Sequence, residues 1–211
     1  MSSKKAMKGK QDAQTSEQTR RSILTAAAWE FSQRGFSATS LREIARQAQT
    51  THGLIRHHFG CKQELWCAVV NEYVAKMAQQ HQPLIDQYGQ ADPVELLKGL
   101  VSSFILLSAQ HPEASRILLL DCGRDGPHLD YLYNKILPLH EAITPVFEGV
   151  QQQGLLNQFD EDTFFIFLLN LGAFPFAMEN FTNRFYHTNI SSPEGITKHI
   201  QLVLATLFIQ K

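Results

Sequence analysis

The sequence predicts an all-α protein. Apolar residues recur at helical spacing along most of the chain, helix-start signals such as Asp-Pro and Ser-Pro-Glu punctuate it, and no stretch alternates with the period of a strand. At 211 residues and 44% hydrophobic content the chain can bury a sizeable core in one or two domains.

Residues 1–16 carry four lysines and no apolar periodicity, and are expected to form a mobile basic arm. A first helix is expected from Glu17 to Arg34, where Ile23, Ala27 and Phe31 fall at i, i+4 and i+8; Gly35 ends it and Phe36 returns to the core. Thr39 or Ser40 can cap a second helix with Leu41, Ile44 and Ala45 inside. A third starts near Thr50 or Thr51 and runs to His58, anchored by Ile55 and Phe59. A fourth runs from Lys62 to about His81 on Leu65, Trp66, Val69, Val70 and Tyr73.

Asp92-Pro93 and Pro112-Glu113 open two more helices, and the run from Gly123 to Pro127 closes the second. A long helix follows from His128 to Gln153, with bends expected at Pro138 and Pro145 before Gly154 stops it. Asp160 or Asp162 opens the next. Ser192-Pro193-Glu194 opens the last, whose stripe is Ile196, Ile200, Val203, Leu204, Leu207 and Phe208.

The net charge of −1 conceals an asymmetry. Met1 to Lys62 holds 11 Lys and Arg against 4 Asp and Glu; the remainder holds 8 against 16. A basic module on an acidic body suits a nucleic-acid partner. Three cysteines, Cys61, Cys67 and Cys122, lack the pairing of a disulfide framework or a zinc site. With no secretory leader and no apolar run of spanning length, the expected compartment is the cytoplasm, with no membrane partner.

Thr39 to Lys62 reads as two short helices joined by a tight turn, the layout of a helix-turn-helix that lays its second helix in the DNA major groove. Thr50, Thr51, His52 and Gly53 fill its first turn, where short polar groups meet base edges. Arg56 and His57 follow one turn later, Arg56 as a guanine reader or a phosphate contact, with His58 beside them. Thr39, Ser40, Arg42 and Lys62 sit at helix starts, placed for phosphates, with capping as the plainer role for the first two. Neighbouring His57 and His58 should point to different faces with no carboxylate converging, so no metal site is expected.

This segment resembles the TetR family of transcriptional regulators. The residues that carry the resemblance are Thr39-Ser40-Leu41-Arg42-Glu43-Ile44-Ala45, then Thr51, Gly53, Ile55, His58-Phe59, Lys62 and Leu65, within a stretch from Glu17 to Tyr73. Gln49 stands where the turn often has Gly, Arg56 replaces a Tyr, and Cys61 replaces a helix-capping Ser or Asn. The resemblance implies a three-helix DNA-binding domain over 17–61 and a ligand-binding and dimerisation body over 62–211. It further implies a homodimer joined through the helices that begin near Asp160 and Ser192, a palindromic double-stranded operator, and repression relieved by a small molecule.

The last helix would supply Ile196, Ile200, Val203, Leu204 and Leu207 to the dimer interface. Phe density around the Gly172 to Pro175 break suggests an apolar or aromatic effector, with Phe104, Arg116, Asn134, Asn170, Phe174 and Phe176 as candidate contacts. No nucleophile elbow, P-loop or zincin motif is present, so neither enzyme activity nor a cofactor is expected. Two rival readings are a helical enzyme with a decayed DNA module and an architectural or adaptor DNA-binding protein without effector.

Overall fold

The computed structural model describes residues 2–209 apart from 90, 122 and 124, with side chains from residue 14 onward. Every regular element among the described residues is a helix: α1 (Ser2–Ala38), α2 (Leu41–Gln47), α3 (His52–Phe59), α4 (Lys62–Tyr88), α5 (Pro93–Gln110), α6 (Pro112–Asp121), α7 (Pro127–Gln152), α8 (Glu161–Ala177), α9 (Glu179–Thr182) and α10 (Pro193–Leu207). Two departures from the expected boundaries have local causes. Helix α1 runs back to Ser2 through the stretch expected to be an irregular arm, which is built largely of good helix formers. Helix α4 continues past His81, through Pro83, to Tyr88. Helix α7 likewise contains Pro138 and Pro145 within one continuous element.

The chain divides into two compact units, Met1–Glu72 and Tyr73–Lys211. In the first, Ile23, Ala27, Phe31, Ile44, Ile55, Leu65 and Trp66 are all but fully buried. Phe36 stacks on Phe31 and meets the edge of Trp66. The first turns of α4 carry Leu65, Trp66, Val69 and Val70 as buried residues. Gly35 breaks α1 at φ 73°, in the left-handed region that Gly enters without strain.

In the second unit α5 is the central helix, packed on α7, α8 and α10. Its core joins Leu97, Val101 and Ile105 to Phe147, Val150, Phe164, Phe176, Val203 and Leu207. Gly172 lets α8 come close to α5. A Cβ there would lie 2.6 Å from the Phe104 ring.

Candidate nucleic-acid interface

Helix α2 begins on a capping box. Ser40 accepts the Glu43 N–H at 3.3 Å, and Glu43 is also bonded by Arg34, which holds its carboxyl below the usual range. Arg34 in turn pairs with the buried Glu30, tying α1 to the start of α2. Helix α2 ends in a Schellman motif: Thr50 N–H donates to Ala45 C=O at 2.9 Å, and Gln49 N–H to Arg46 C=O at 3.2 Å. That motif needs a left-handed residue at C′, and Gln49 supplies it at φ 51°. Thr51 then caps α3 by accepting the Leu54 N–H.

With Ile55 and Phe59 buried, the 100° step of an α-helix turns Gly53 and His57 outward, flanked by Leu54 and Arg56. Thr51, His52, Gly53, Arg56 and His57 are exposed; Thr50 and His58 are half-buried. Only the Thr51 hydroxyl lies within 4 Å of where a Gly53 Cβ would sit, so this patch of backbone is bare. The rings of His57 and His58 meet edge-on, 5.4 Å apart, rather than diverging. Ser40 and Arg42 are exposed at the start of α2. Among the described residues no group of His, Cys, Asp and Glu could hold a metal ion.

Two residues expected at phosphates are engaged inside the unit. Thr39 is 2% exposed, and its hydroxyl lies 2.9 Å from Gly35 O and 3.1 Å from Glu30 O. Ser40, not Thr39, is therefore the cap of α2. The Lys62 ammonium donates to Phe36 O at 2.8 Å and Thr39 O at 2.9 Å, and sits 4.3 Å above the Phe36 ring. It ties the start of α4 to carbonyls of the α1–α2 corner, where Phe36 O also accepts the Thr39 N–H at 3.3 Å. The cap of α4, weakened by Cys61, is completed by Glu64, whose carboxylate accepts the Cys61 N–H at 2.9 Å.

In the body, the candidate ligand contacts lie on four helices, α5 to α8. Phe104 and Phe176 are core residues, and Asn134 is exposed on α7. Arg116 Nε donates to Ala177 O at 2.8 Å, joining α6 to the end of α8. Asn170 and Phe174 line one cavity together. It is a groove of about 400 Å³ between α8 and α10, also lined by Pro175, Tyr186, His199, Leu202 and Thr206. On the last helix, Ile196, Ile200 and Leu204 are half-buried. Val203 and Leu207 are buried in the chain's own core, and Ile196, Ile200 and Leu204 pack against it. Within α10 the large apolar residue left exposed is Leu202, at 56%. Periodicity located an apolar face but could not say which of two partners it meets.

The family model described as bacterial regulatory proteins, tetR family, matches residues 23–69. The transcriptional repressor NicS of Pseudomonas putida is 30% identical over 148 residues, covering 69% of each chain. The ketosteroid transcriptional regulator KstR2 of Mycobacterium tuberculosis superposes with a TM-score of 0.69 at 20% identity, over 90% of this chain and 95% of that one. AibR in complex with isovaleryl coenzyme A and operator DNA gives 0.71 at 21% identity, over 90% and 98%. At these identities the two structures establish a shared fold.

Proposed function

The chain belongs to the tetR family of bacterial regulatory proteins and is a DNA-binding transcriptional regulator; on that premise we propose that it works as a homodimeric repressor whose α3 helices enter successive major grooves of a palindromic operator. The observation that carries this reading is the α2–α3 pair. A Schellman turn and two side-chain caps fix its geometry, while Gly53, Arg56 and His57 stand exposed off the Ile55–Phe59 face and His52 is exposed at the helix start. Two such helices on a twofold axis would meet half-sites about 34–36 Å apart. Ser40 and Arg42 would hold phosphates from the start of α2. Thr39 and Lys62 act by setting the α1–α2 corner.

The second copy is read onto the outer stripe of α8 and α10. Ile166, Phe174, Met178, Leu202 and Ile209 are exposed, together several hundred Å² of apolar surface, at the upper end of what a lone monomer carries. An isologous interface would bring this stripe against itself. A small effector would release the operator by favouring a second state of the body, and only by the margin of its differential affinity. The isovaleryl coenzyme A complex of AibR makes acyl thioesters the first compounds to try. Among the described residues no helix is long and apolar enough to cross a membrane. A gene regulator works where the DNA is, so the cytoplasm is the compartment proposed, and no catalytic role is assigned.

Gel shifts of the full chain on its own promoter region, across salt concentrations, test the reading. Salt-sensitive, sequence-selective retardation that Arg56→Ala and His57→Ala weaken is expected. Undiminished binding by the double variant would remove α3 as the reading element.

A further inference from the structure

Among the described side chains of the first unit, the large hydrophobic residues left exposed are Trp29 and Leu54. Leu54 belongs to α3. It is 42% exposed in the helix's first turn, and on the helix surface it lies between the outermost residue, His57, and the half-buried His58. Its N–H is already taken by Thr51, so only its hydrocarbon is on offer. The Thr51 hydroxyl oxygen accepts in that bond and keeps its own proton to donate, so the hydrocarbon at this edge of the helix is that of Leu54. In the major groove one base presents hydrocarbon. Thymine carries a C5-methyl, while guanine, cytosine and adenine present only hydrogen-bonding groups there.

We propose that Leu54 is a specificity-determining residue that reads the methyl group of a thymine in each half-site. This rests on the reading of α3 as the recognition helix. The absence of a side chain at Gly53 lets the backbone approach closely enough for Leu54 to reach the methyl, and His57 and Arg56 supply the polar reading on either side. Burying one methyl against leucine is worth about fourfold in affinity per half-site, the worth of one buried CH₂.

The experiment selects a duplex from a randomised pool with the full-length chain, then replaces its thymines one at a time by deoxyuridine, which lacks only that methyl. Affinity is measured for the wild type and for Leu54→Ala, an exposed-surface change that α3 should tolerate. One thymine per half-site should lose about fourfold on demethylation with the wild type, and nothing further with Leu54→Ala. Repeating the selection with Leu54→Ala should relax the preference at that base pair alone. A demethylation series without any position coupled to residue 54 would overturn the inference while leaving the DNA-binding reading intact. A pool from which the wild type selects nothing would overturn that reading itself.

Discussion

His199 of α10 lies with Nε2 2.8 Å from the Leu171 carbonyl of α8, the carbonyl that Pro175 leaves without its helical partner. An interior proline lacks the N–H that would have bonded four residues back, and the imidazole N–H takes its place. The bond ties α8 to α10 in the wall of the groove that Pro175 and His199 line, with the His199 ring edge-on to Phe176. His199→Leu should strand a buried acceptor and cost about 1–3 kcal/mol. In a Pro175→Ala background, where the backbone can supply its own donor, the same change should cost clearly less. Urea melts of the four proteins measure the difference, and an additive cycle would sink the substitution argument.

Gln49 and Gly53 should respond in opposite senses. Gln49 carries φ 51° in the Schellman turn, so Gln49→Gly relieves left-handed strain and should raise stability by up to about 1 kcal/mol. Gly53 has open space at its missing Cβ. Gly53→Ala should therefore fold, gain roughly 0.5–1 kcal/mol of helix propensity, and yet bind operator more weakly. Thermal melts alongside gel shifts check both, and equal operator affinity in Gly53→Ala would show that the backbone does not approach the DNA closely.

Lys62 is expected to matter for stability more than for salt dependence. Lys62→Met keeps the stem and removes the charge from two close carbonyls. With the side chain partly solvated, a loss of about 1–2 kcal/mol is expected, below the full range for charged hydrogen bonds. The salt slope of DNA binding should stay unchanged. A slope lower by about one unit per subunit would restore Lys62 as a phosphate contact.

The pH profile has two edges. Burial holds His81 below its ordinary range, and its Nε2 has no partner among the described residues. The unfolded chain then takes up a proton near pH 6.5 that the folded chain refuses, so stability from His81 is present above that pH and lost as pH falls through it. Burial also pushes Tyr73 up to about 12 from 10. There the unfolded chain ionises first, and stability should fall as pH rises from 10 toward 12. His81→Phe should flatten the acid edge and Tyr73→Phe the alkaline one in melts across pH.

Two leucines on one helix separate interface from core. Leu204 packs on the α5 core and Leu202 faces outward. Leu204→Glu should give misfolded or insoluble chain. Leu202→Glu should stay folded and sediment as a monomer. A folded, dimeric Leu202→Glu would move the proposed interface off α10.

The sequence alone determined the helix-turn-helix, because that element is local. Caps at Ser40 and Thr51, the break at Gly35, the left-handed turn at Gln49 and the anchors Ile55 and Phe59 all act within a few residues of where they are read. It also determined that the body is helical and which faces of its helices are apolar. Tertiary structure decided what those faces and polar groups meet. Lys62 finds carbonyls 23 and 26 residues away, Arg116 finds one 61 residues away, and His199 finds one 28 residues away. Val203 and Leu207 of the last helix met the chain's own core, with Ile196, Ile200 and Leu204 half-buried beside it. Periodicity reports that a face must leave water, and the hydrophobic effect that drives it is non-directional, so only the packed fold could name the partner.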